Sequence, residues 1–271
     1  MPALRGPLRG PVRGPVRAHQ ATGGGGGTGG TIYDATDATA VNTALQALAG
    51  TTDDLTPAAL WTCDEAAGSL VDSIGGVKLA PMGIATTVAS PHGRAAHLDA
   101  AIDFDDQAWK CPDPSALDVG AGAFAVLVRV RVTATPGGFI YELVGKGSPA
   151  GAHWRLNAVG SDGTLQIQAK QSGGPTLATT TGEIADGAYH WILGGRSITA
   201  EKLWAAIDGE AVESAFSAAN RLSNASGFML GQASASGPVG DVDHVLVFTG
   251  DAAENVYAHA TGLIAALEAA E

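Results

Sequence analysis

Apolar and polar positions alternate with a period of two over most of the chain. Phe124, Val126, Val128, Val130 and Val132 interleave with Ala125, Leu127, Arg129 and Arg131, the signature of a strand with one buried face. Trp154, Leu156 and Ala158 repeat the pattern, the pair Asp162-Gly163 supplies a turn, and Leu165, Ile167 and Ala169 continue as a second strand. Leu203 to Ile207 ends at Asp208-Gly209 and resumes at Ala211-Val212, another hairpin, and Val242, Val245 and Val247 mark a last strand. Helical periodicity occurs only near the ends. Val41, Leu45 and Leu48 stand at i, i+4 and i+7, with Thr36 or Asp37 as N-cap and Gly50 as stop. This short helix packs on the body or forms a small oligomer seam. Ala252 to Ala270 is alanine-rich, with Leu263, Ile264 and Leu267 on one side, and predicts a closing helix.

Composition agrees with an all-β body. Glycine is 38 of 271 residues and charged residues are 15%, which suits many tight turns better than a solvated helical bundle. Many short strands joined by Gly-containing turns predict a sandwich. The predicted organisation is an extended arm and glycine linker (1–30), a short helical segment (31–56), and a sandwich with its closing helix (57–271).

The arm changes the electrostatic picture. Arg5, Arg9, Arg13 and Arg17 recur every fourth residue through Arg-Gly-Pro repeats, and Gly23 to Gly30 is broken only by Thr28. Proline excludes a helix, and a glycine period of four excludes a collagen triple helix, so an extended strap on a flexible linker is expected. Fully stretched, thirty such residues span about 100 Å. Of the 15 Lys and Arg, 11 lie beyond the arm and face 27 Asp and Glu, giving the body a formal charge of −16. No apolar stretch follows the basic start, so no signal peptide is expected, and no window predicts a membrane span. Cys63 and Cys111 fit reduced thiols better than a disulfide framework, and the absence of a CxxC or Cys/His cluster argues against zinc.

Several phrases, in order, resemble the concanavalin A-like, laminin-G-like jelly-roll family. They are Leu60-Trp61-Thr62-Cys63-Asp64-Glu65 with Gly68 and Asp72-Ser73, then Ala101-Ile102-Asp103-Phe104-Asp105, then Pro112 to Leu117 leading to Ala123-Phe124-Ala125-Val126. Asp186-Gly187-Ala188-Tyr189-His190-Trp191, Leu203 to Gly209 and Gly240 to Phe248 follow. Ala206 replaces an aromatic before Asp-Gly, and Tyr189 stands where Trp is common, both read as volume changes within a core strand. The resemblance implies a jelly-roll sandwich, a fold that serves lectins, glycosidases, adhesins and spacers alike. The Arg-small-Pro-aliphatic repeats are in turn similar to those opening virion proteins of tailed phages and gene-transfer particles. That similarity implies a head spike, fibre or decoration protein, made in a bacterial cytoplasm and carried on the virion.

Candidate chemistry is sparse. The Glu-x-Asp-x-x-Glu strand of laminarinase-like jelly rolls is absent, and no Gly-x-Ser-x-Gly elbow occurs, so no enzyme is expected. The seven histidines lack metal-ligand spacing, and His190 reads as a structural histidine hydrogen-bonded in or beside the core. Asp103, Asp105 and Gln107 begin like a calcium loop, but Ala108 and Pro114 break the EF-hand pattern. A rim calcium site has Asp64 and Asp243 as candidates, because first and last strands lie close in this fold; solvent-facing carboxylates are the plainer reading. No other cofactor is implied. Trp61, Trp154, Trp191 and Trp204 fall in core patterns, leaving Trp109 as the candidate exposed ring for a sugar.

The arm's arginines admit a solvated tail, a nucleic-acid contact or a protein anchor. The acidic body and the lack of interleaved aromatics disfavour nucleic acid. Docking to a capsid, portal or tail protein explains both the arginines and the apolar knobs Leu8, Val12 and Val16. The expectation is therefore a non-enzymatic, homo-oligomeric virion protein, a trimer or pentamer, with host polysaccharide as a further partner. The alternative is a free or cell-surface carbohydrate-binding module.

Overall fold

The computed structural model describes Ile32 and residues 37–83, 85–98, 108–112, 114–135, 140–147, 151–160, 162–171, 176–222, 227–231 and 239–271. The arginine arm, the glycine linker and the Asp103–Gln107 segment lie outside the described residues.

The body is a jelly-roll sandwich of two antiparallel sheets. In the first, the strand order is β14 (Glu210–Ala215), β13 (Lys202–Ile207), β12 (Tyr189–Ser197), β7 (Phe124–Ala134), β16 (Val239–Thr249), β5 (Gly93–Leu98) and β4 (Thr87–Ser90). The free half of β16 pairs with β1 (Ala59–Trp61), in register Trp61 to Val245, so first and last strands are neighbours as expected. The second sheet runs β11 (Thr176–Glu183), β10 (Thr164–Lys170), β9 (His153–Val159), β8 (Ile140–Gly147), β15 (Phe228–Leu230), β6 (Trp109–Cys111), β3 (Lys78–Pro81) and β2 (Leu70–Val71). Gly240 is required at the β7–β16 seam, since a Cβ there would lie 2.0 Å from the Arg131 carbonyl oxygen.

The inter-sheet core is aromatic. Trp61 stacks on Phe228 with ring centroids 5.1 Å apart, and Phe124 on Trp154 at 4.9 Å. Trp109 belongs to this core at 1% exposure. That corrects the expectation of an exposed sugar platform: Trp109 pairs across strands with Leu230 and points between the sheets although polar Lys110 follows it.

A second core covers the outer face of the first sheet. Helix α1 (Ala38–Ala49), α2 (Gly250–Ala258) and α3 (Ala260–Ala269) bring Val41, Leu45, Val256, Leu263, Ile264 and Leu267 against Leu127, Trp191, Leu193, Trp204, Leu246 and Phe248. Strand β7 is thus buried on both faces from Phe124 to Val130, where a one-sided strand was predicted. Asp37 caps α1 by accepting from the Ala40 N–H at 2.9 Å, and Gly50 ends it in the left-handed conformation. The single closing helix expected over Ala252–Ala270 is two, broken at His259, whose Nε2 lies 2.8 Å from an Asp53 carboxylate oxygen. No helix among the described residues is long and apolar enough to cross a membrane. Both cysteines are free thiols.

The Asp72-Ser73 motif has a clear local task. The buried Asp72 carboxylate accepts from the N–H groups of Leu60 (2.7 Å), Ile74 (2.9 Å) and Gly75 (2.7 Å), tying the turn after β2 to β1.

Candidate functional site

The break between α2 and α3 opens a hollow over the outer edge of the first sheet. Its volume is about 270 Å³, and Trp204, Ala211, Glu213, Tyr257, Ala258, Ala260 and Thr261 line it. Trp204 and Glu213 face each other across the β13–β14 ladder, so the Asp208-Gly209 hairpin brings an indole and a carboxylate to one side. Tyr257, the one tyrosine of the closing helices, lies over Trp204 at 5.5 Å between centroids and 49° between planes. Its hydroxyl donates to Glu213 Oε1 at 2.6 Å. Burial first, and then Glu213 and Glu254, push the Tyr257 phenol up to about 12. The Trp204 indole N–H is buried without an acceptor. Such a hollow offers an aromatic floor, methyl walls, one carboxylate acceptor and the Thr261 hydroxyl, which suits a small hydroxylated ligand.

The sequence reading placed Trp204 in the core and passed over Tyr257 and Glu213. Trp204 is indeed fully buried, yet it also lines the hollow. The available signal was a tyrosine in an otherwise alanine-rich helix.

Beyond the helices the same outer face turns ionic. Arg129, 2% exposed, bonds Asp243 and both oxygens of Glu271, with its guanidinium 4.1 Å from the Tyr189 ring centroid. The other Asp243 oxygen lies 2.8 Å from His244 Nδ1. Asp241 in turn bonds Arg131 and the His97 ring. Burial opposes ionisation of Glu271, but Arg129 outweighs it and holds the carboxyl below its ordinary range. Tyr189 is therefore a half-buried lid on two arginines rather than the core residue expected.

The calcium pair is corrected here. Asp243 is fully buried, with a guanidinium where a cation would sit, while exposed Asp64 accepts from the Arg94 N–H at 3.0 Å at the start of β5. Neither joins a cluster of ligand atoms. Among the described residues such a cluster forms at His190, Asp208 and Glu268, whose donor atoms lie within 4.8 Å of one another. One imidazole and two carboxylates match a transition cation better than calcium, which takes six to eight oxygens. His190 is already engaged, with Nε2 3.0 Å from Asp186 and Nδ1 3.3 Å from Asp208. Burial works against its charge, but Asp186 and then Asp208 win and raise its pKa. It is a structural histidine beside the core, as its position in the strand predicted.

The outer face of the second sheet is polar. Glu142, Asn157 and Gln166 stand in one cross-strand row, all at or below 9% exposure. Arg155 Nε approaches Glu142 Oε2 at 3.1 Å, and Gly145 leaves room for the pair, since a Cβ there would lie 2.5 Å from Glu142 Oε1. Burial pushes Glu142 up to about 7 against the pull of Arg155. Both amide atoms of Asn157 are buried without a hydrogen-bond partner.

No protein-family model and no curated protein matches this chain. Solved structures do. The binding domain of Paraclostridial Mosquitocidal Protein 1 aligns with TM-score 0.59 at 13% identity, over 74% of this chain and 51% of that one. Trypanosoma rangeli sialidase, solved with sialic acid, aligns with TM-score 0.55 at 13% identity, over 80% and 34%. Domain 4 of the GH43 extracellular arabinanase of Geobacillus stearothermophilus, solved with arabinotriose, aligns with TM-score 0.53 at 17% identity, over 73% and 97%. The chain thus spans about half of the toxin binding domain and a third of the sialidase. At these identities the likeness is one of fold.

Proposed function

We propose that the sandwich is a non-enzymatic carbohydrate-binding module carried on a virion or virion-like particle. The observation that carries the binding half is the hollow under the α2–α3 break, with Trp204, Tyr257 and Glu213 converging on it. Aromatic rings present flat apolar surface to a sugar's C–H face, and a carboxylate accepts its hydroxyls. The sialic acid and arabinotriose complexes of similarly folded proteins support the same class of ligand. Among the described residues Glu213 is the one carboxylate of the lining, whereas glycoside hydrolysis ordinarily needs two, so binding without turnover is the reading.

The particle half rests on the arm. Arg5, Arg9, Arg13 and Arg17 anchor to a capsid, portal or tail component, and the glycine linker lets the acidic body stand clear. Two experiments separate the halves. The full chain on a glycan array retains saccharides, and Tyr257→Ala reduces that retention; an array without hits defeats the binding half. Deletion of residues 1–22 abolishes copurification with particles, and undiminished copurification defeats the anchoring half.

A further inference from the structure

Resting on the carbohydrate reading, we infer that the hollow selects neutral saccharides, a single ring of hexose or pentose type, and rejects sialic and uronic acids. Three features of the lining lead there. First, among the described residues its ionisable groups are Glu213 and the Tyr257 phenol, with no cation in the lining for a sugar carboxylate. Lys202, outside the lining, lies 3.6 Å from Glu213, and Glu254, one turn before Ala258 on α2, adds a second negative charge. An anionic ring would enter a negative, partly desolvated space, where like charges repel far more than in water. Second, the polar groups match a polyol. The Thr261 hydroxyl both donates and accepts. Glu213 Oε2 meets only Lys202, at a separation longer than a hydrogen bond, and accepts a sugar hydroxyl. Third, Ala211, Ala258 and Ala260 give the remaining wall methyl groups rather than polar ones, which complements the C–H face of an uncharged ring. A hollow of about 270 Å³ is slightly below the usual range of small-molecule sites, ~300–1,000 Å³, so it takes a terminal residue rather than a long chain.

The test uses the full chain on an array of neutral gluco-, galacto- and arabino-oligosaccharides beside sialylated and uronic-acid glycans. Neutral glycans are expected to bind and anionic ones to be excluded. Trp204→Phe, which keeps an aromatic ring in the core but trims the indole floor of the hollow, is expected to weaken neutral binding about tenfold, in line with loss of part of an aromatic contact. Glu213→Gln removes the negative charge and is expected to narrow the gap between anionic and neutral glycans. Thermal melts of both variants establish that they fold, and Lys202→Ala, outside the lining, replaces either variant that does not. Its removal of the cation beside Glu213 is expected to leave neutral binding in place. A preference for sialylated or uronic glycans, or neutral binding insensitive to Trp204→Phe and Glu213→Gln, overturns the inference and leaves the carbohydrate reading standing. Binding to no glycan overturns that reading itself.

Discussion

The outer faces of the two sheets solve the same problem in opposite ways. The first carries Leu127, Leu193, Trp204, Leu246 and Phe248 outward and must be roofed, which α1, α2 and α3 accomplish. The second presents Glu142, Arg155, Asn157 and Gln166, and among the described residues no helix packs closely on it. The roofed face gains a second apolar core but concentrates ionic and aromatic groups along the margins of its cover, and there the hollow and the Arg129 network form. The proposed binding site therefore lies at the edge of the roof.

The sharpest way to break this contrast is Arg129→Ala. It strands Asp243 and the Glu271 carboxylate without their cation, and unfolding free energy is expected to fall by about 3–5 kcal/mol. Arg155→Ala on the other sheet leaves a carboxyl that can stay protonated, so a smaller loss is expected; equal losses in denaturant titrations would dissolve the distinction. Next, Leu127→Ala removes a side chain buried under the helices, with an expected cost of roughly 2–5 kcal/mol, whereas Gln168→Ala on the second sheet should fall within about 0.5 kcal/mol.

The polar face contributes its own pH response. Glu142 holds its proton up to about 7 when folded against an ordinary 4.5, so the folded state binds more protons between those values. Its contribution is most favourable below 4.5, declines as pH rises to 7, and stays lost above. Glu142→Gln should flatten that decline, on the order of 1–3 kcal/mol. Thermal melts from pH 4.5 to 8 measure it, and an unchanged slope would reassign the titration. A modest effect is expected of Asp37→Ala, about 1 kcal/mol from loss of the α1 N-cap bond, read as a lowered melting temperature.

Local chemistry was legible in the sequence; convergence of distant segments was not. The hairpins at Asp162-Gly163 and Asp208-Gly209, the cap at Asp37 and the stop at Gly50 each depend on neighbours in the chain, and each appears where its residues stand. The helices were legible, but the double burial of β7 beneath them was not, because Arg129 and Arg131 make β7 look half-exposed, although Ala125 and Leu127 already suit a strand buried on both faces. Trp109 misled for the same reason, since Lys110 beside it is exposed while the indole turns inward. Glu213 and Tyr257 meet across 44 residues, and no spacing rule predicts such a meeting.

Strand β16 is the centre of the first sheet, hydrogen-bonded to β7 on one edge and to β5 and β1 on the other. During synthesis it emerges after every strand it joins. The strands β8, β9, β10 and β11 pair with their sequence neighbours and can form as soon as they are made, whereas the β7–β12–β13–β14 ribbon, the β4–β5 hairpin and β1 stay separate pieces until residues 239–249 leave the ribosome. The second sheet joins its own two parts slightly earlier, when β15 slots between β8 and β6. The first sheet, with its roof, is completed only once the chain is nearly finished, and crowded nascent chains are most prone to mispair during that wait.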